Sequence, residues 1–102
     1  MSYKSELLEK LIKAADNPQN EFDGIIGENR AALKEMDEYQ LSDIYALRRK
    51  AERLCRRIPF SREEIKLLIQ SNEVRADSMT AELENCFSEA EYVFSKVSGG
   101  QN

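Results

Sequence analysis

The side chains best suited to chemistry are the cations crowded into residues 48–57. They are Arg48, Arg49, Lys50, Arg53, Arg56 and Arg57, with Glu52 as the single acid among them. The segment therefore carries a net +5, whereas the whole chain carries −4. Guanidinium and ammonium groups bind anions, and the anion can be a phosphate or a carboxylate. The expected chemistry is recognition of an anionic partner.

On a helix these cations form a stripe on the side opposite the apolar face. Arg49, Arg53 and Arg56 point directly away from that face, while the other three flank them. Tyr45 lies one turn before Arg49, where a guanidinium could stack on its ring. Like charges four residues apart, such as Arg49 and Arg53, cost a few tenths of a kcal/mol (~0.2–0.5) each. The stripe therefore predicts a neutralising partner.

Three kinds of partner fit the stripe: acidic side chains of the same chain, an acidic protein, or nucleic acid. The candidate acids within the chain are Glu35, Asp37, Glu38, Glu73 and Asp77. The acidic balance of the whole chain, with pI ≈ 4.9, disfavours a dedicated nucleic-acid binder.

Catalytic and metal-binding patterns are missing from the sequence. The chain has no histidine, which excludes Ser–His–Asp and Cys–His catalysis and most zinc sites. Asp16, Asn20 and Asp23 suggest a calcium loop, but Pro18 occupies the third position, where a ligand is required. We expect no enzymatic activity, no metal and no cofactor.

The two cysteines, Cys55 and Cys86, lie beside or on apolar helical faces. We interpret both as reduced, buried small hydrophobic residues rather than as a disulfide or a redox pair.

The elements that carry these side chains are predicted from apolar spacing. The longest pattern runs from Ser61 to Val97 at steps of three or four: Ile65, Leu68, Asn72, Ala76, Met79, Leu83, Cys86, Ala90, Val93 and Val97. No Gly or Pro falls between Arg62 and Ser98. Ser61 and Glu64 form a capping box at its start. We predict one continuous helix over 62–97; the alternative is a break into two helices at Ser71-Asn72.

Three shorter helices precede it. The first is predicted over 5–16 and ends at Asn17-Pro18, since proline cannot continue the helical ladder. The third is predicted over 41–57, starts at Gln40 or Ser42 and stops at Pro59. Its apolar seam is Ile44, Leu47, Ala51, Leu54 and Ile58.

The second segment, 20–37, is interrupted by Gly24 and Gly27. We favour a helix that starts late, near Gly27, with Ile25-Ile26 docking as a loop plug or marking a contact surface. The alternative is that the glycines allow another backbone to approach closely.

Together these patterns predict an all-α fold: a small helical bundle with an antiparallel hairpin of the third and fourth helices and one long C-terminal helix. The domain covers 1–97, and 98–102 form a flexible tail. The fourth helix, about 54 Å long, would extend well beyond the third, about 26 Å long. We therefore expect a second chain to cover its C-terminal half, through an apolar face of Leu83, Phe87, Ala90 and Phe94.

The predicted function is a non-enzymatic protein–protein interaction module: an adaptor, chaperone-like subunit, inhibitor or regulator with coiled-coil-like contacts. Its binding residues are the stripe, with Tyr45, Arg48, Arg49, Arg53, Arg56 and Arg57, and the apolar face defined above. Partners are a protein or a second copy, with a dimer favoured. The alternative is a nucleic-acid-binding regulator that uses the same arginines. No apolar run is long enough for a membrane span and the N-terminus lacks the layout of a signal peptide, so we expect a cytoplasmic location.

Overall fold

The structure, a computed structural model, describes residues 2–71 and 78–98. Within these ranges the chain forms six α-helices and no strand. They are α1 (Tyr3–Asp16), α2 (Glu21–Glu28), α3 (Arg30–Glu35), α4 (Glu38–Cys55), α5 (Arg62–Gln70) and α6 (Ser78–Ser98). The predicted all-α bundle and long C-terminal helix are confirmed.

Local sequence sets both ends of α1. The Ser2 hydroxyl accepts a hydrogen bond from the Ser5 backbone N–H at 3.1 Å, so the helix begins two residues before the predicted start. The helix ends at Asp16, and Asn17 and Pro18 follow it as predicted. The proline thus acts as the stop signal that the sequence indicated.

The prediction that the second helix starts late, near Gly27, is wrong, because α2 includes both Gly24 and Gly27. Its N-cap is Asn20, whose side-chain oxygen accepts a hydrogen bond from the Asp23 N–H at 3.0 Å. This cap stabilises the first turn before either glycine is reached.

Burial explains why α2 tolerates its glycines. Phe22, Ile25 and Ile26 on α2 are all in the core. Burying each contributes ~1.5–3 kcal/mol, more than the ~1 kcal/mol that each glycine costs. Ile25 and Ile26 are therefore helical core residues, not a loop plug. A Cβ on Gly27 would meet the Ala15 carbonyl oxygen at 3.5 Å, an ordinary contact, so close backbone approach does not require a glycine there either.

A reciprocal cap starts α4 at Glu38, earlier than the predicted Gln40 or Ser42. The Gln40 N–H donates to the Asp37 carboxylate at 2.8 Å, and the Asp37 N–H donates to the Gln40 side-chain oxygen at 3.0 Å. This pair is a capping box with Asp at the cap and Gln at the third position. The predicted apolar seam of the helix faces the core, with Ile44, Ala51, Leu54 and Ile58 buried and Leu47 partly buried.

The prediction of one continuous helix over 62–97 is wrong. The Arg62 guanidinium on α5 forms an ion pair with Glu91 on α6 and lies 5.2 Å from the centroid of the Phe87 ring. A single straight helix would separate residues 62 and 91 by about 44 Å. The two helices therefore pack against each other. Residue 72, where the sequence suggested a break, lies in 72–77, outside the described residues.

The predicted capping box at the start of α5 is confirmed. The Glu64 N–H donates to the Ser61 hydroxyl at 3.2 Å, and the Ser61 N–H donates to the Glu64 carboxylate at 3.2 Å. Ile65 follows directly and is buried.

The antiparallel pairing of the third and fourth predicted helices is present, but α4 packs mainly against α6 rather than against α5. Arg53 and Leu54, near the end of α4, share a groove with Met79 and Glu82, near the start of α6. The end of one helix therefore lies beside the start of the other, as an antiparallel pair requires.

The core lies between α4, α6 and the three helices before α4. Its largest fully buried side chains are Leu7, Leu11, Phe22, Ile26, Leu33, Met36, Leu41, Ile44, Ile65, Leu83, Phe87 and Phe94. Ser98, where the flexible tail was predicted to begin, is the last residue of α6, and 99–102 lie outside the described residues. Among the described helices, none has the length and apolar composition that crossing a bilayer demands.

Candidate anion-binding surface

Arg48 is the one member of the stripe that turns into the protein. Its Nε donates to Oδ1 of Asp23 at 2.8 Å, and its terminal nitrogen donates to Oδ2 at 3.5 Å. Asp23 is completely buried, and the Arg48 side chain is 20% exposed. The Gln19 backbone N–H also donates to the Asp23 carboxylate, at 3.1 Å. Arg48 therefore ties α4 to α2, and its charge is neutralised inside the chain.

Glu52 lies between Arg48 of the same helix and Arg56, the C-cap residue of that helix. Its carboxylate is 3.2 Å from Arg48 and 3.0 Å from Arg56. The Arg56 side chain is 72% exposed. Exposed pairs of this kind contribute ~0.3–0.5 kcal/mol, so water or another anion can displace the Arg56 contact.

The other four cations have no such partner. Arg49, Lys50, Arg53 and Arg57 are exposed, and none forms an ion pair with a residue that the structure describes. Arg49, Lys50 and Arg53 cover about 100° of the surface of α4, because successive residues are 100° apart, and Arg57 lies in the turn after the helix. We call these four residues with Arg56 the basic surface of α4.

The acids that the sequence suggested as neutralising partners have other positions. Asp37 caps α4. Glu35 and Glu38 are exposed and make no ion pair within the described residues. Glu73 and Asp77 lie outside the described residues.

The acid that sequence reasoning missed is Asp23, which it considered only as a calcium ligand. The signal was present, because Asp23 is a carboxylate among the apolar residues Phe22, Ile25 and Ile26 of a single helix. A carboxylate buried in this way requires a charged or hydrogen-bonding partner. The other two members of the suspected calcium loop also have partners, since Asp16 pairs with Arg30 and Asn20 caps α2.

Tyr45 carries a cation from another helix. The Lys10 ammonium of α1 lies 5.3 Å from the centroid of the Tyr45 ring, within cation–π range. From the sequence, a guanidinium of the same helix was the candidate to stack there. The contact brings α1 to the edge of the basic surface, a proximity that no local pattern predicts.

An open groove of about 870 Å³ runs along this side of α4. Its lining residues are Tyr3, Ser42, Tyr45, Ala46, Arg48, Arg49, Lys50, Glu52, Arg53 and Arg56. The groove places two tyrosine rings at one end of an arginine-rich wall, so an elongated anionic ligand could follow the helix.

The apolar face predicted to bind a second chain lies in the core of this chain. Leu83, Phe87, Ala90 and Phe94 are each at most 1% exposed. The Phe87 ring stacks on Phe22 of α2, with centroids 6.2 Å apart. The expectation that a second chain would cover this face is therefore wrong, because helices of the same chain bury it. While the fold is intact, these four side chains have no surface to offer a partner.

The two cysteines are free thiols, Cys55 partly buried and Cys86 buried. Burial raises the pKa of Cys55 from 9.0 to about 11, with Glu21, Asp23 and Cys86 adding to the shift. Burial also raises the pKa of Cys86. Both thiols therefore stay protonated near neutral pH, as small core residues do.

Comparison with protein-family models, with curated proteins and with solved structures finds no significant match to this chain.

Proposed function

We propose that this chain is a non-enzymatic helical interaction module that binds an acidic protein through the basic surface of α4. One observation carries the proposal. Arg49, Lys50 and Arg53 on one side of α4, and Arg57 in the turn that follows it, are exposed without ion pairs to described residues, in a chain of net charge −4. Adaptor, chaperone-like subunit, inhibitor and regulator are the roles that we propose for such a module.

Mutual repulsion supports an anionic ligand. Arg49 and Arg53 are one turn apart on α4, and like charges at this spacing destabilise a helix by ~0.2–0.5 kcal/mol per pair. A carboxylate placed between two of these cations removes the repulsion and adds charge-assisted hydrogen bonds. A bound anion therefore stabilises this surface more than hydration alone does.

The charge of the rest of the chain favours a protein over nucleic acid. Residues 48–57 carry +5, which leaves −9 for the remaining residues of a chain with net charge −4. Residues 45–57 span about 18 Å of helix, whereas a DNA duplex of about 20 bp extends for roughly 68 Å. A duplex of this length would extend well beyond the basic surface, whereas a short acidic segment matches its length.

The thiols support a role without catalysis. A cysteine nucleophile reacts as the thiolate, and the raised pKa values of Cys55 and Cys86 disfavour that form. Together with a sequence that has no histidine, this leaves binding as the activity that the described side chains support best.

Self-association, with a dimer favoured, and a cytoplasmic location stay predictions. If copies associate, they must use side chains other than the buried face of α6. The large apolar side chains exposed on the described surface include Leu67 and Ile69 of α5 and Tyr92 of α6.

Charge reversal on α4 tests the proposal. The probe is a labelled helical peptide of about sixteen residues with four Glu on one face, and its control peptide has Gln at those positions. We expect micromolar, salt-sensitive binding of the Glu peptide by fluorescence anisotropy, and loss of binding in an Arg49→Glu/Arg53→Glu variant. The matched control is Lys34→Glu/Lys66→Glu, which changes the net charge equally at two exposed lysines of α3 and α5.

Two results would count against the proposal. Equal affinity for the Glu and Gln peptides would remove the electrostatic basis of the interaction. Micromolar, salt-dependent binding of a 20-bp DNA duplex (about two helical turns), lost in the α4 variant and stronger than peptide binding, would favour the nucleic-acid alternative.

A further inference from the structure

The basic surface of α4 continues onto a second helix. The Lys10 ammonium lies over the Tyr45 ring at 5.3 Å, and Lys13 lines a cleft of about 310 Å³ together with Tyr45 and Arg48. Ala14 of α1, with Asn17 and Gln19 that follow this helix, completes this cleft. Two lysines of α1 are thus contiguous with α4, although about 35 residues separate Lys10 from Tyr45 in the sequence.

These two lysines carry charge that the described part of the chain does not neutralise. Lys10 and Lys13 are exposed, and neither forms an ion pair with a described residue. Glu6 and Glu9 precede them by one helical turn, yet no ion pair forms with either acid. Because Arg48 is held by Asp23 and Glu52, the lysines supply the available charge of the cleft.

We infer that the acidic segment bound by α4 begins on α1, where Lys10 and Lys13 hold its first carboxylates beside Tyr45. The inference rests on the proposed function and assigns to it a two-helix site. Lys10 already lies against the Tyr45 ring, so part of its side-chain freedom is lost before a ligand arrives. A carboxylate in the cleft can contact both ammonium groups, since residues three apart on a helix are neighbours.

The dimensions define the ligand. From Tyr45 to Arg57 the surface is about 18 Å long, which matches about twelve helical residues or about six extended ones. The occupant is therefore a short acidic protein segment with carboxylates at both ends. Those at one end meet lysines of α1, and those at the other meet arginines of α4.

The test measures binding of the same Glu peptide to a Lys10→Gln/Lys13→Gln variant. We expect its affinity to fall by about threefold to tenfold, as the loss of two exposed charge pairs implies. The matched control is Lys34→Gln/Lys66→Gln, which removes two exposed lysines outside the site and should leave the affinity unchanged. Far-ultraviolet circular dichroism of each variant checks that helicity is retained.

The outcomes separate the two proposals. If the Lys10/Lys13 variant binds like the wild type while Arg49→Glu/Arg53→Glu does not bind, the α1 extension is wrong and the α4 site stands. If the wild type does not distinguish the Glu peptide from the Gln peptide, the proposed function itself fails. If both lysine variants lose affinity equally, the effect is one of net charge and the inference is overturned.

Discussion

The guanidinium of Arg48 and the carboxylate of Asp23, 25 residues apart in the sequence, meet at 2.8 Å with Asp23 fully enclosed by protein. The carboxylate also accepts the Gln19 N–H, so both of its oxygens are used. A buried charge with this many partners is stable only while the partners stay in place. The pair therefore links the start of α2 to the middle of α4.

Removing one side of this pair should destabilise the fold strongly. We expect Asp23→Ala to lower the free energy of unfolding by about 3 kcal/mol, because it removes the buried partner of Arg48, leaves Glu52 as the remaining ion-pair partner of that arginine, and leaves the Gln19 N–H unpaired. Urea unfolding followed by circular dichroism measures the change. Asp43→Ala, at an exposed acid of α4, is the control and should change stability by less than about 0.5 kcal/mol. A similar loss of stability in both variants would show that the buried pair contributes no more to the free energy of unfolding than an exposed acid does.

Substitutions on the inward face of α6 should affect stability rather than association. Phe87→Ala should cost about 3–5 kcal/mol, since the Phe87 ring is buried against Phe22. Leu83→Asp should unfold the chain, because it places an unpaired carboxylate in the core. Thermal and urea unfolding test both variants, with Tyr92→Ala as the exposed control on the same helix. A folded Leu83→Asp variant that has lost only self-association would contradict the observed burial.

The cysteines should be unreactive at neutral pH. With a pKa of about 11 instead of 9.0, Cys55 has a thiolate fraction at pH 8 about a hundredfold lower than that of a free thiol. Alkylation by iodoacetamide in a Cys86→Ser variant isolates Cys55. We expect it to be far slower in the folded than in the urea-unfolded chain, and equal rates would refute the shift.

The same shift predicts how stability depends on pH. The folded chain holds the Cys55 proton more tightly than the unfolded chain, so between pH 9 and about 11 the folded state has more protons bound. Stability must then decrease as pH rises through this window. Urea titrations at increasing alkaline pH, compared with a Cys55→Ala variant, measure this contribution separately from that of other groups.

The capping box of α5 offers a smaller, local test. Ser61→Ala removes the hydroxyl that accepts the Glu64 N–H and should cost about 1 kcal/mol. Ser88→Ala, in the interior of α6, is the control. Because alanine is the better helix former and Ser88 is exposed, that change should be neutral or slightly stabilising. Equal effects at the two serines would show that the cap contributes nothing.

Sequence patterns predicted those parts of the fold that depend on neighbouring residues. The stop at Pro18, the end of α4 before Pro59 and the Ser61–Glu64 box all depend on chemistry within a few residues, and all are present. The spacing of Ile44 and its successors likewise identified the inward face of α4. Apolar periodicity reports which side of a helix is covered.

Periodicity does not report which element covers a helix. The wrong predictions, for the second helix and for the apolar face of the last one, both depended on that information. The contact of Phe22 with Phe87 joins α2 to α6 and explains both the glycine-containing helix and the buried face of α6. Lys10 and Tyr45 meet because α1 packs on α4, which depends on the whole arrangement of helices. The cationic stripe was visible in the sequence, whereas the separation of Arg48 from its exposed neighbours required the position of Asp23.

The shallow attachment of α5 has a consequence for the order in which the protein opens. Ile65 is the only residue of this nine-residue helix that is buried, and beyond it α5 is held by side chains such as Arg62, which reaches Glu91. Local opening of α5 therefore exposes little apolar surface and has a lower free energy than global unfolding. Amide hydrogens of α5 will exchange with deuterium ahead of those of α4 and α6. We therefore expect α5 to open and close locally while the other helices unfold cooperatively. The basic surface of α4 should keep its structure during this local opening.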